Sequence, residues 1–385
     1  MQKKKLLFVS GHLNVGGAEK SLLDILRHID YERYDVDLLL LQELGDYADM
    51  VPPQVRIILR PLLSTYGSLV KCLSKSFFRG DWFTFRMRLL MLKARYLGQK
   101  YFFPAGKLLL GKKHYDCAIG FRPDVCTQVA AYAVDADRCI TWWHHGEFFG
   151  SHKLFQEYAA PCAAIVAVSD SCTRMLANEF PQLTAKMVTV PNMLDVVEVR
   201  NYADAFDPYA DKSRMHIASV GRLSEEKHFE NIILAAKVLK DNGNAFQWHM
   251  IGDGPLRTVL EDLAQSLNVS DCVIFEGNQV NPYPYIKHAD LFVHPSYVES
   301  FGIVVTEALA LGTPCVVTKS MGVMDFLVDG ENAVLTEQNP EDLAEKVVLV
   351  LENSDLRRKL KENAQCPEQF FPKMVMQKID ALIMD

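Results

Sequence analysis

Arg222 and Lys227 stand five residues apart in Gly221-Arg222-Leu223-Ser224-Glu225-Glu226-Lys227, directly after an apolar run. Leaving a strand end on one loop, a guanidinium and an ammonium can converge on a diphosphate. Each charge-assisted bond of that kind is worth about 1.5–3 kcal/mol. Further on, Glu299-Ser300-Phe301-Gly302-Ile303-Val304-Val305-Thr306-Glu307 places one carboxylate before a helix and a second just over a turn inside it. The helix start over Phe301–Ile303 offers unpaired N–H groups to an anion. A carboxylate such as Glu307 can accept both hydroxyls of a ribose diol. Gly252-Asp253-Gly254-Pro255 ends a strand and begins a helix, a capping turn whose value is its position.

Two further segments could face the same chemistry. Gly16-Gly17-Ala18-Glu19 follows the first apolar run and opens a helix, so its backbone can approach a phosphate closely. The dinucleotide spacing of glycines is absent, and Gln42 stands where an acid for a ribose would end the second strand. Trp142-Trp143-His144-His145-Gly146-Glu147 ends another apolar run. With no third ligand at a fixed spacing, the paired histidines do not read as a metal site. His144 is expected to face the cleft near a reacting sugar, against the plainer reading of a packed or capping histidine, and His145 is its rival for that place. Asp35-Val36-Asp37 and Asp135-Ala136-Asp137 could each hold a divalent ion, but they read as surface acids, the first at a strand start and the second in a polar connection. No metal is expected.

These segments need elements to hold them. Strands are expected over Lys5–Val9, Val36–Leu41, Cys117–Gly120, Cys139–Trp143 and Ala163–Val168, with a helix over Ala18–Ile29. The second half reads as strands Met215–Val220, Gln247–Gly252, Val273–Phe275, Leu291–His294 and Pro314–Thr318. Between and after them come helices Phe229–Asp241, Leu256–Leu267, Pro284–His288, Ile303–Leu311 and Pro340–Asn353. Strands alternating with helices predict doubly wound parallel sheets. At 385 residues a single core is too small a plan, so two α/β domains are expected, over 1–190 and 191–367, with helix 368–385 returning to the first. Ligands of such sheets bind beyond the carboxyl ends of the strands, in the cleft between two facing domains.

The nine cysteines are scattered, with no Cys-x-x-Cys, which excludes a disulfide framework or structural zinc site and fits a reducing, cytoplasmic setting. The basic opening Met1–Lys5 precedes too short an apolar run for an export signal and reads as a first buried strand. Charge is segregated: segment 66–113 holds eleven Lys and Arg against Asp81 alone, a net +10 in a chain of net −7. Phe77, Phe78, Trp82, Phe83, Phe85, Tyr96, Tyr101, Phe102 and Phe103 are interleaved there, a mixture suited to an anionic membrane surface from the cytoplasmic side. The acidic chain has no recognised nucleic-acid motif, and no nucleic-acid partner is expected.

Taken in order, Gly-Arg-Leu-x-x-x-Lys, Gly-Asp-Gly-Pro and Glu-x7-Glu over Val220–Thr336 resemble the retaining family-four glycosyltransferases of the GT-B fold. The resemblance implies that Arg222 and Lys227 bind a donor diphosphate with Gly16, Gly17, Gly221 and the Ser300-Phe301-Gly302-Ile303-Val304 backbone. It further implies Glu299 on hydroxyls of the donor sugar, Glu307 on the ribose, His144 beside the reaction centre, and a nucleobase near Gly252, Asp253, Gly254, Gly277 and Asn278. The reaction implied is transfer of a hexose-type sugar, with retention, from a UDP- or GDP-linked donor to a lipid-linked or cell-surface polysaccharide intermediate, without an obligatory metal or other cofactor. Asp325, Asn332-Ala333 and Ser300 depart from the family's commoner residues and bear on sugar choice. A nucleotide-sugar epimerase of the same fold and a non-catalytic sugar-nucleotide-binding partner are the alternatives.

Overall fold

Apolar runs of five to seven residues set the strands. In Lys4–Ser10 every residue from Leu6 onward is buried, as a strand covered on both faces requires. The computed structural model of the chain describes residues 2–62, 69–148 and 150–384. It divides into two compact units, Met1–Met193 with Lys373–Asp385, and Leu194–Pro372.

The first unit holds β1 (Lys4–Ser10), β2 (Tyr34–Leu40), β3 (Arg56–Leu59), β4 (His114–Gly120), β5 (Asp135–Trp143), β6 (Ala164–Ala167) and β7 (Met187–Thr189). All pair in parallel, in the order β3-β2-β1-β4-β5-β6-β7. The chain reverses its direction of build between β1 and β4, so the loops after those two strands part there and leave a crevice. The second unit holds β8 (Met215–Val220), β9 (Phe246–Ile251), β10 (Val273–Gly277), β11 (Leu291–His294), β12 (Cys315–Thr318) and β13 (Val334–Thr336), in the order β10-β9-β8-β11-β12-β13, again parallel throughout. Its reversal lies between β8 and β11. One face packs Trp248, Ile232, Leu239, Leu260 and Val347 into a core, and the other packs Phe292, Ile286, Val305 and Leu309.

Three strands were not expected from the sequence: β3, β7 and β13. Each is three or four residues long and lies at the end of its sheet. An outer strand has a neighbour on one side only, so its sequence need not carry a long apolar run. Two expectations about acids also change. Asp37 is buried within β2, where it accepts from Tyr115 Oη at 2.6 Å and pairs with Lys113 Nζ at 3.3 Å and with Arg56. Asp135 and Asp137 are strand residues of β5, not a connection, and flank His114 at 3.4 and 3.3 Å.

The boundaries between units fall a few residues later than 190 and 367. Val190 N–H still donates to Ala167 O at 3.0 Å, and Asn192 Oδ1 accepts from Ser21 Oγ at 2.7 Å, which keeps this stretch with the first unit. At the other crossing Phe370 packs on Phe301 and Phe326, with ring centroids 4.8 and 5.5 Å apart, which keeps 368–370 with the second. Helix Pro372–Met384 then belongs to the first unit from Lys373 onward, and its Asp380 binds Arg33 at 2.7 Å and Tyr34 Oη at 3.1 Å.

Candidate active site

In the second unit the loops after β8 and β9 are laced by main-chain bonds. Gly221 N–H donates to Ile251 O, Leu223 N–H to Asp253 O and Leu256 N–H to Leu223 O, each at 3.0 Å. Gly252 has φ +140°, and a Cβ there would overlap the carbonyl oxygen of Gly221, so only glycine permits this approach. Gly254 lies against the Leu223 backbone in the same way. Asp253 is committed locally: it accepts from Gly254 N–H at 2.7 Å and from Arg257 at 3.0 Å. Those two bonds, the first foremost, hold its carboxyl below the usual range. Arg257, missed in the sequence, is therefore what Asp253 faces. Asn278 is exposed just past β10.

The loops after β8 and β11, on either side of the reversal, are joined by side chains. Lys227 Nζ forms an ion pair with Glu299 Oε1, and His294 Nε2 lies 2.8 Å from the same oxygen. Ser296 Oγ donates to Glu226 O at 3.1 Å, and Asn231 Nδ2 to Tyr297 Oη at 2.8 Å. The His228 ring stacks on Tyr297 at 3.8 Å, from a left-handed backbone with φ +49°. Burial alone would push the Glu299 carboxyl up, but the Lys227 ammonium and the His294 hydrogen bond outweigh it and hold the carboxyl well below the usual range. Glu299 is thus an ionised acceptor. His294 closes β11 after an apolar run and was missed in the sequence; the signal that could have found it is the i, i+5 spacing to Glu299 across a turn.

The Arg222 side chain is exposed and makes no hydrogen bond or ion pair among the described residues. Phe301 turns into the core, and the Ser300–Phe301 backbone lies against Gly322, where a Cβ would come within 2.4 Å of it. Gly302, with φ +82° and ψ +55°, caps helix Ile303–Leu311, and a Cβ on it would lie 2.6 Å from Val323 Cγ1. The N–H groups of Ile303 and Val304, in the first turn, have no partner within the helix. Glu307 is buried one turn on and accepts from Tyr283 Oη at 3.3 Å. The second unit therefore brings Arg222, Lys227, Glu299, Gly302, Ile303 and Val304 to the edge where its sheet reverses.

In the first unit Gly16 is extended and caps helix Gly17–His28, and Lys20 N–H donates back to Gly16 O at 2.9 Å. The loop before it is held by Leu44 O, which takes Leu13 N–H at 3.1 Å, and by Glu43, which takes Asn14 Nδ2 at 2.9 Å. His144 follows β5 directly. Its ring packs on Phe121 at 4.6 Å and its Nε2 is buried with no hydrogen-bond partner. Burial, then the neighbouring His145 and Arg122, hold its imidazole well below the usual range, so it is neutral. His145 is pushed down to about 4, again by burial first and then by Arg122. Arg122, after β4, pairs with the buried Glu19 in the first turn of helix Gly17–His28. Neither Arg122 nor Glu19 was singled out as a site residue in the sequence. Among the described residues no three His, Cys, Asp or Glu side chains gather as metal ligands.

The basic segment forms helices Leu69–Phe78, Trp82–Leu97 and Pro104–Leu110. Residues 66–68 lie outside the described residues. Phe78 is 85% exposed, Tyr96 74% and Trp82 58%. Not all of the segment is surface: Phe102 is in the core, and Arg88 is buried and donates to Leu62 O at 2.6 Å. Among the described residues no helix is long and apolar enough to cross a membrane.

Residues 204–366 match the family of glycosyl transferases group 1. The matched segment lies within the second unit and contains the Arg222–Glu307 constellation. Two curated relatives are the lipopolysaccharide core biosynthesis glycosyltransferase LpsE of Rhizobium meliloti, 35% identical over 147 residues, and N-acetyl-alpha-D-glucosaminyl L-malate synthase of Bacillus anthracis, 30% identical over 139. The match covers 38% of this chain and 42% of the former, and 35% and 36% for the latter, so the chain spans well under half the length of the curated relatives it matches. Among solved structures, Anabaena HepE in complex with UDP-glucose is similar with TM-score 0.69 and 17% identity, over 98% of both chains. A glycosyltransferase from Rickettsia africae has TM-score 0.70 and 14% identity, over 100% of this chain and 98% of its own. At those identities the likeness is one of fold: two doubly wound, parallel-sheet, Rossmann-like units, the GT-B architecture.

Proposed function

We propose that this chain is a retaining glycosyltransferase that moves a hexose-type sugar from a nucleotide diphosphate to an acceptor hydroxyl. The observation that carries the reading is the gathering, where the second sheet reverses, of an unpartnered guanidinium, an ammonium, an ionised buried carboxylate and an open helix start. Arg222, Lys227 and the N–H groups of Ile303 and Val304 meet the charge that grows on the departing diphosphate. An ammonium has three donors, so Lys227 can keep Glu299 and still reach a phosphate oxygen. Glu299 accepts from sugar hydroxyls and Glu307 from the ribose, and neutral His144 is the first-unit group that the sequence resemblance assigns to the reaction. The acceptor oxygen enters on the face the diphosphate leaves, its proton passing to the leaving phosphate oxygen, and the anomeric configuration is kept. Groups fixed in advance toward such charge are worth about 10²–10³ in rate each. Two cations and a helix start make a metal unnecessary in this reading.

The UDP-glucose held by HepE supports a uridine-linked donor, with a GDP sugar as the other choice to test. The work of LpsE in lipopolysaccharide core biosynthesis supports a lipid-linked or cell-surface polysaccharide intermediate as acceptor. Such an acceptor suits a cytoplasmic enzyme resting on an anionic membrane face through segment 66–113. A thermal-shift screen of nucleotide sugars identifies the donor, because a ligand that binds only the folded state raises the Tm. With that donor, Arg222→Ala lowers kcat by about 10²–10³-fold and leaves Tm unchanged, since the side chain is exposed. Near-normal turnover by the variant would remove Arg222 from the mechanism.

A further inference from the structure

Glu19 is a buried carboxylate at the start of the very helix whose N–H groups are offered to an anion. Left alone it would oppose a phosphate there, and its own burial would be strongly unfavourable. Arg122 answers both. We infer that the Glu19–Arg122 ion pair is a positioning pair that locks the Gly16-Gly17 helix start to the strand ends carrying His144. The catalytic part of this inference rests on the reading just proposed.

The geometry runs through one continuous path inside the first unit. The Glu19 carboxylate lies so close to Gly16 that a Cβ there would run into Oε2, so the carboxylate backs directly onto the helix cap. Arg122 Nη2 donates to Glu19 Oε1, across the point where the loops after β1 and β4 part. The Arg122 backbone is itself fixed: its carbonyl accepts from Thr127 Oγ1 at 2.6 Å, and that hydroxyl meets Thr141 Oγ1 of β5, also at 2.6 Å. One residue back, the Phe121 ring packs on Trp142 at 5.1 Å and on His144 at 4.6 Å. Helix start, Glu19, Arg122, Phe121 and His144 are thus joined by an unbroken chain of contacts. Burial is the largest cause that keeps protons off the two histidines; His145 and then Arg122 add to it at His144 against the Phe121 backbone, and Arg122 adds to it at His145 against Asp124. Among the described residues Glu19 also has His12 beside it, whose Nδ1 lies 3.7 Å away and already accepts from Asn14 N–H, and the buried Cys126 within electrostatic reach.

Arg122→Gln, Glu19→Gln and the double variant test this in the full chain. Removing one partner leaves the other charge uncompensated and can prevent folding, whereas the double variant, neutral at both positions, keeps the shape without the charges. In every variant that folds, amide exchange over residues 16–20 should rise about tenfold or more. The kcat for transfer should fall about 10²-fold, the cost of misplacing a fixed group by roughly 1 Å, with donor KM little changed because most donor contacts lie in the second unit. Variants lacking Arg122 should also raise the NMR titration midpoints of His144 and His145. Arg122→Lys keeps a cation but not the planar fork, and should restore the titration without restoring kcat. Wild-type amide exchange at 16–20 together with wild-type kcat in the folded double variant overturns the inference. If instead the native chain transfers no sugar from any donor, the functional reading has failed, and amide exchange with the imidazole titrations still decides the pair.

Discussion

Lys227→Ala isolates what the Glu299 cluster contributes to the fold. In the native chain the carboxylate is about a tenth exposed and receives an ammonium and an imidazole on one oxygen. Deleting a partner from a buried pair costs about 3–5 kcal/mol. Here the His294 imidazole still bonds the same oxygen at 2.8 Å, so about 2–3 kcal/mol is expected. The sign with pH follows from the depressed carboxyl. Its stabilisation is complete above the unfolded value near 4.3 and is lost as pH falls toward the folded one. Between pH 7 and pH 3.5 the native chain should lose roughly 1 kcal/mol through this group alone. Lys227→Ala should lose less, so the gap between the two narrows in acid. Urea titration read by pulsed hydrogen exchange on peptides 215–251 follows the second unit specifically. A cycle with Glu299→Gln should give a coupling of about 1.5 kcal/mol or more at pH 7. Additive single effects, or a gap that is the same at both pH values, would refute the account.

Gly302→Ala meets both a left-handed backbone and Val323, and should cost about 1–3 kcal/mol, seen as a lowered Tm with a matching loss of donor affinity; an unchanged Tm would mean the turn relaxes freely. His145 is held near 4, while an unfolded histidine takes a proton below about 6.5, so stability should decline as pH drops from 7 toward 5. His145→Gln should flatten that slope in urea titrations of the first unit, and an equally steep slope would place the proton elsewhere. Phe78→Ser and Trp82→Ser remove the two most exposed of the three exposed aromatics, Phe77, Phe78 and Trp82, at the turn between helices Leu69–Phe78 and Trp82–Leu97, and each should weaken sedimentation with anionic vesicles about tenfold or more. Binding that depends on vesicle charge but ignores both substitutions would reduce the segment to a purely ionic contact.

The inner strands of the second unit were read in its sequence almost to the residue, whereas β13 and helices Val196–Ala203 and Ser354–Asn363 were not, and the reason is physical. Its inner strands are buried on both faces and its glycine turns, such as 252 and 302, are dictated by close backbone approach, so pattern and structure leave little freedom. The first unit was less legible. Its outer strands β3 and β7 carry runs of only three and two apolar residues, and the helices at 125–132, 152–159 and 170–179 are only 8, 8 and 10 residues long. At the site, residue types with charge at strand ends announced themselves: Arg222, Lys227 and Glu299. Partners acting through another side chain did not. His294 sits in a strand that reads as wholly apolar, and Glu19 and Arg122 lie 103 residues apart in sequence. Asp37 misled for a related cause, since its partners Arg56, Lys113 and Tyr115 come from neighbouring elements that no local pattern connects to it.

The chain leaves the first unit at Met193 and re-enters it at Lys373, so the whole second unit is inserted into the first. Val375, Ile379 and Ile383 are buried and Asp380 clasps Arg33, which makes helix Pro372–Met384 a structural part of a body whose strands were synthesised long before. On the ribosome that body waits, unfinished, until this helix has been made, whereas 194–372 emerges as one uninterrupted piece able to settle first. A tag, nick or stop codon near residue 375 is therefore felt far back along the sequence, by Arg33 and Tyr34.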